Sequence, residues 1–435
     1  MITQELQELV GINVAELPNG SQLRNDLFSE RGLMLLSAGS TVTPEIKNIL
    51  ASRGIERVQI HPEDAAALFN SLESVEDALG AQADDELPER PDETLDSGLF
   101  SSLEDSGPAM RDSIAVHRRT PYDLERNGRV SAQHREASNT LDSMMRKALL
   151  GNSVDGRNVG RMTAASLGNM TNDCDNVLAV ATSGDNKGVS EQSLQTAFLS
   201  MAIGIEMGLD AESIRIIGAA GLVSDWGMMH LPEDIRGVKR QLDERDFFEL
   251  QKVPIYTADM LLKTSALPRL VLPIAYQIHE KLDGTGYPRG RDTNNIHPFA
   301  KLIHVADLYT ALTAPGPGRR PAMPYAAMEI ILREAGKQTI DARVARALLR
   351  VLSLFPIGSY VALSDRTVGR VLRRNGANYS SPIVHVVLDA NGHSIAPDRD
   401  DAIVDPDEAG LGIVRALPSP GRNELSSAEL LQLPQ

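Results

Sequence analysis

Three ionisable side chains interrupt apolar helical sequence: Asp225 in AAGLVSDWGMM, His279 in PIAYQIHEKL and Asp307 in LIHVADLYTAL. A charge withdrawn from water without a partner costs several kcal/mol, so each must pair, change protonation state or hold a metal. One such residue alone reads best as hydrogen-bonded structure. Two carboxylates and an imidazole in one helical region are a donor mix that a single divalent iron, manganese or zinc ion favours. His230 and His304 are further imidazoles nearby, the latter one turn before Asp307; each reads as an ordinary packed or surface histidine. The zinc-protease pattern is excluded, because Asp283 and not histidine stands one turn after His279.

His279 leads directly into HEKLDGTGYPRG, residues 279–290. Gly284 and Gly286 permit backbone conformations closed to other residues, Tyr287 brings an aromatic face and a hydroxyl, and Pro288 stiffens the exit. With Asp283 and Arg289 they make a candidate ligand- or partner-binding loop; the competing reading is a loop kept for its own fold. Lys281, Arg289, Arg291, Arg319 and Arg320 are either phosphate contacts or solvated surface charges.

The elements that must position these residues are helical. In SLQTAFLSMAIGIEMGL, Leu194, Phe198, Met201, Ile205 and Leu209 fall at steps of three and four, a core stripe. Similar spacing recurs through AESIRIIGAAGLVSDWGMM, ERDFFELQKVPIYTADMLLK, RLVLPIAYQIHEKL and PFAKLIHVADLYTAL, and predicts an all-α domain over residues 113–355. Ahead of it, residues 1–70 read as a small α/β domain: a strand, a helix opened by Thr43 with Pro44 in its first turn, a stop at Gly54, and a strand ending at Ile60. Residues 71–112 are acidic and rich in proline and serine, the composition of a disordered linker. After residue 356 the apolar period changes to two, with turn signals at Asn375-Gly376 and Asn391-Gly392, so 356–418 reads as a small β extension. Residues 419–435 are expected to fray as a tail. The reading is thus multidomain.

Composition narrows the functions. With 42% hydrophobic residues in 435, burying a large core is no obstacle. A net charge of −16 opposes non-specific attraction to DNA, RNA or an anionic membrane. Cys174, the single cysteine, excludes an internal disulfide and a multi-cysteine zinc site, and reads as a buried small hydrophobe. No apolar run approaches the ~20 residues that span a bilayer, and the start lacks a basic leader, so no membrane insertion and a cytoplasmic location are expected.

HEKLDGTGYPRG resembles the signature of HD-GYP domains, helical metal-dependent phosphodiesterases that linearise cyclic di-GMP. SDWGMMHLP stands where that family has its His-Asp motif and VADLYTALT where it has a terminal metal-binding aspartate; FPIGSYVALSD matches the start of its β extension, and the first 70 residues resemble a small domain that often precedes it. The resemblance implies two or three metal ions bridged by an aspartate and completed by histidines. Of those ligands this sequence keeps Asp225, His279 and Asp307. Gln192, Ser224, Val253 and Ile278 stand where histidines are implied, and Met228 where a lysine is. Valine and isoleucine coordinate nothing, and three side chains poorly offset the mutual repulsion of two adjacent cations, so no binuclear centre is expected. The reading is a catalytically degenerate regulatory module that senses cyclic di-GMP or docks signalling proteins through the GYP loop. The competing enzyme reading is a residual phosphodiesterase using one metal on Asp225, His279 and Asp307, with Glu280 tuning the site. A third is a structural scaffold without nucleotide.

Overall fold

A computed structural model describes residues 10–14, 17, 23–29, 34–36, 38–52, 55, 57–61, 63–64, 107–182, 188–236, 240–316, 319–376, 378–396, 399 and 402–431. Most of the stretch expected to be a disordered linker lies outside the described residues. Its end does not: Met110–Ser113 is a turn of 3₁₀ helix, tied by the Met110 amide to the Leu209 carbonyl at 3.0 Å.

The N-terminal unit contains β1 (Val10–Asn13), β2 (Leu27–Ser29), β3 (Met34–Leu36), α1 (Pro44–Ser52) and β4 (Arg57–Ile60). The strands form an antiparallel sheet in the order β1-β4-β2-β3. As expected from the sequence, the Thr43 hydroxyl caps α1, accepting from the Ile46 amide at 3.1 Å. Ile12, Leu23, Leu27, Val42, Leu50, Val58 and Ile60 make its core.

The helical domain comprises α2 (Leu124–Leu149), α3 (Arg157–Thr182), α4 (Val189–Glu206), α5 (Ala211–Val223), α6 (Glu233–Arg236), α7 (Glu244–Gln251), α8 (Val253–Leu262), α9 (Val271–Gln277), α10 (Pro298–Thr313), α11 (Pro324–Gly336) and α12 (Ala342–Leu352). Every residue of α4 from Ser193 to Ile205 is buried, and the apolar positions supply most of that surface, so α4 is the central helix. It packs against α2, α3, α5, α10 and α12. The stretch read as one helix over ERDFFELQKVPIYTADMLLK is two, α7 and α8. Pro254 has no N–H to continue the ladder and sits in the first turn of α8, while an Asp243–Asp246 capping box opens α7. Two short strands unforeseen in the sequence, β5 (Val154–Asp155) and β6 (Thr264–Ser265), pair in parallel within this domain.

The β extension is a five-stranded antiparallel sheet of β7 (Tyr360–Leu363), β8 (Val368–Arg373), β9 (Ile383–Leu388), β10 (Ile403–Val404) and β11 (Ile413–Leu417), in the order β10-β9-β8-β7-β11. Gly376 and Gly392, the two turn glycines, take φ of +54° and +83°. The frayed tail is corrected through residue 431. Ser426 and Glu429 form a capping box that opens α13 (Ser427–Leu430), and the Leu425 amide donates to the Pro321 carbonyl at 2.8 Å. Among the described residues no helix is long and apolar enough to cross a membrane.

Candidate functional site

Three elements bring Asp225, His279 and Asp307 together. Asp225 follows the buried end of α5 and precedes a 3₁₀ turn, Trp226–His230. That turn lies hard against α8: a Cβ on Gly227 would stand 2.2 Å from the Val253 carbonyl oxygen. Thr257 bolts the two together, its hydroxyl accepting from the Gly227 amide and donating to the Ser224 carbonyl, both at 2.9 Å. His279 comes just after α9, and Asp307 lies in the middle of α10.

The imidazole of His279 sits between the carboxylates. Its Nε2 is 3.5 Å from Asp225 Oδ1, and its Nδ1 is 3.8 Å from Asp307 Oδ2. Asp225 and Asp307 are buried, at 6% and 9% exposure. Two threonines that the sequence did not single out back Asp307: Thr196 Oγ1 lies 3.5 Å from its Oδ1, and the Thr196 and Thr310 hydroxyls are 2.8 Å apart. The Tyr287 ring stacks on His279, centroids 5.0 Å apart and planes within 15°. Their only sequence signal was position, since Thr196 shares a face of α4 with Gln192.

Burial by itself lowers the pKa of His279, yet the Asp225 carboxylate beside its Nε2 and the charge of Asp307 outweigh it and raise it. Burial and the Asp225 charge raise Asp307 well above the carboxylate range, against the His279 charge and Thr196. The arrangement is therefore a buried acid–imidazole–acid triad held by opposite charge at 3.5 and 3.8 Å, in which the buried His279 Nε2 makes no hydrogen bond among the described residues.

The residues present do not fit a two-metal centre. Val253 and Ile278 are 2% and 0% exposed hydrocarbon, and the Ser224 hydroxyl donates to the Gly221 carbonyl at 3.1 Å. Both ring nitrogens of His279 lie near carboxylates, at 3.5 and 3.8 Å, and Nε2 has no hydrogen-bond partner among the described residues. Among the described residues, no three His, Cys, Asp or Glu side chains are disposed to hold a metal ion jointly. His304 Nδ1 contacts the Ile278 carbonyl at 2.7 Å, and burial pushes that imidazole down to about 4. His230 stacks on Tyr256 at 4.9 Å.

The loop is built around Glu280. Its buried carboxylate accepts from the amides of Arg289 at 2.8 Å and Arg291 at 2.9 Å, so it closes the loop on itself. The structure thus puts Glu280 in a loop-holding position where the sequence reading had it tuning a metal. Gly284 has φ of +76°, and a Cβ on Gly286 would stand 2.2 Å from the Lys281 amide nitrogen. Asp283 accepts from the Thr285 amide and hydroxyl, and the Tyr287 amide donates to the His279 carbonyl at 3.1 Å. Pro288 is buried, Arg289 is half-buried, and Lys281, Asp283 and Thr285 form the exposed rim. Arg319 and Arg320 face elsewhere: Arg319 donates to the last carbonyls of α10, and Arg320 to Asn423 and Glu429.

Residues 178–344 match the HD domain family model. Over 219 residues the chain is 30% identical to the cyclic di-GMP phosphodiesterase PA4108 of Pseudomonas aeruginosa, covering 50% of this chain and 51% of that one. It is 26% identical over 225 residues to the cyclic di-GMP phosphodiesterase PdeB of Borreliella burgdorferi, covering 52% and 59%. The chain thus spans about half the length of the curated relatives it matches. Among solved structures, Bd1817, an HDG"Y"P protein from Bdellovibrio bacteriovorus, aligns over 78% of this chain and 98% of its own, with 15% identity and a TM-score of 0.42.

Proposed function

Because its helical region is an HD domain of the HD-GYP kind, we propose that this chain is a signalling module related to cyclic di-GMP phosphodiesterases that binds and regulates without hydrolysing. One observation carries the reading: His279 lies between Asp225 and Asp307 with a carboxylate at each ring nitrogen, while serine, valine and isoleucine hold positions where coordinating histidines are implied. Two-metal hydrolysis needs a bridging water activated between cations, and hydrocarbon walls supply no donors for the second cation. What remains is a rigid loop whose rim of Lys281, Asp283 and Thr285, with Tyr287 and Arg289 behind it, offers a surface for a cyclic dinucleotide or a partner protein.

Metal analysis of the purified chain and a turnover assay with cyclic di-GMP and 3'3'-cGAMP test this. The expected outcome is no stoichiometric transition metal and no steady hydrolysis, with saturable calorimetric binding of cyclic di-GMP that Tyr287→Ala weakens. Bound metal together with turnover that Asp225→Ala abolishes would establish the single-metal enzyme instead. Absence of any nucleotide binding leaves a partner-docking scaffold.

A further inference from the structure

Between β7, β8, α3, α4 and α10 lies an open cleft of about 270 Å³, walled in part by Gln195, Thr310, Tyr360, Arg370, Arg422 and Glu424. A second cavity, of about 310 Å³, adjoins it and shares Ile357, Gly358 and Arg370. Arg370 is thus common to both halves of one seam. Neither half is lined by Asp225, His279 or Asp307.

The polar groups in this seam are unusual. Gln195 stands on the central helix α4, is 6% exposed, and lines the cavity, where its amide is open to an occupant. Glu424, 9% exposed, holds the Ser419 amide at 2.9 Å and so fixes the loop that roofs the cavity. Arg370 is exposed, and its guanidinium makes no hydrogen bond or ion pair among the described residues.

We propose that this seam binds a small anion carrying an amide-like hydrogen-bonding edge, a purine nucleoside monophosphate being the class it fits. A glutamine amide offers an adjacent donor and acceptor, the pair that engages a purine edge in two hydrogen bonds. A guanidinium takes a phosphate in a fork. The Glu424 carboxylate repels an anion from the inner wall, so the phosphate lies outward at Arg370 and Arg422 and the base inward at Gln195. Thr310 lines the cavity and also lies 2.8 Å from Thr196, the residue that backs Asp307, so an occupant touches the structure behind the triad.

Calorimetric titration of the full chain with adenosine monophosphate, guanosine monophosphate and inorganic phosphate tests the assignment. Saturable binding of a nucleoside monophosphate is expected, weakened roughly tenfold or more by Gln195→Leu and by Arg370→Ala, each removing one hydrogen-bonded end of the ligand. Arg370 is on the surface, so its variant reads out the site even if a change at Gln195 disturbs folding. No saturable heat with either nucleotide overturns the proposal. So does phosphate binding as tightly as the nucleotides, which removes recognition of the edge, and so does binding lost in Asp225→Asn but intact in Gln195→Leu, which puts the ligand at the triad.

Discussion

His279 holds two buried carboxylates apart, and that defines what its loss does. In His279→Ala the Asp225 and Asp307 charges lose the cation between them while burial stays. Removing one partner of a buried ionic group costs about 3–5 kcal/mol, so urea unfolding of this variant is expected to show a loss of that size. Adding Asp225→Asn recovers part of it, because a neutral amide has no charge left to compensate; a loss below about 1 kcal/mol in the single variant contradicts the triad. Asp225, His279 and Asp307 were legible in the sequence because ionisable residues inside apolar helical runs must meet a partner. Thr196 and Thr310 were not legible as site residues, since their partners come from other elements and a threonine on a buried helix looks like core; Tyr287 was legible as a loop residue, but not its stacking on His279. Glu280 was found by its place beside His279, but only the folded loop shows its oxygens on the Arg289 and Arg291 amides.

At the scale of elements, helix starts fix the site. α10, which carries Asp307, begins at His297, whose Nδ1 accepts from the Phe299 amide at 3.0 Å while the ring is fully buried. Burial, with a smaller contribution from Lys301, pushes this imidazole down from 6.5 to about 4. The folded state therefore binds fewer protons than the unfolded one between those two values. Stability is retained above pH ~6.5 and falls progressively towards pH ~4, by up to about 3 kcal/mol from this group. His297→Asn, which keeps a capping acceptor but does not titrate there, is expected to flatten that part of the stability–pH profile; an unchanged slope refutes it. The GYP loop gives a second test. Glu280→Ala strands the Arg289 and Arg291 amides, and a cost of about 2–3 kcal/mol with faster hydrogen exchange at those two amides is expected. The helices themselves were legible from their period, but α13 was missed. It has four residues, too few for a period, although Ser426 and Glu429 stood at capping-box spacing in the sequence.

At the scale of the whole molecule, the helical domain and the β extension are joined through one buried ionic knot. α3 breaks at Asp173, where φ is −163° and ψ is 89°, and the Asp173 carboxylate then caps the following turn by accepting from the Asn176 amide at 3.0 Å. The same carboxylate meets the guanidinium of Arg373, at the end of β8, through two bonds of 2.8 Å. Arg373 is 1% exposed, donates to the Thr120 carbonyl at 2.6 Å and lies 4.4 Å over the Tyr122 ring; beside it Arg374 reaches Asp175 at 2.7 Å. Burial raises the Asp173 pKa, but Arg373 more than reverses this and holds it below the usual carboxylate range, so the pair is ionised. No local pattern disclosed it, because the partners lie 200 residues apart and Asp173 reads as the polar face of a helix. Arg373→Met keeps the bulk and leaves Asp173 charged and buried, with an expected loss of about 3–5 kcal/mol. The loss has a direction. Sheet and bundle are expected to exchange together while the knot holds them, whereas in Arg373→Met the amides of β8 and β9 are expected to exchange before those of α4 and α5. Adding Asp173→Asn restores part of the stability by removing the stranded charge, but not the coupling, because the amide cannot reproduce a forked ionic pair. Equal exchange of sheet and bundle in the single variant shows that packing alone joins them.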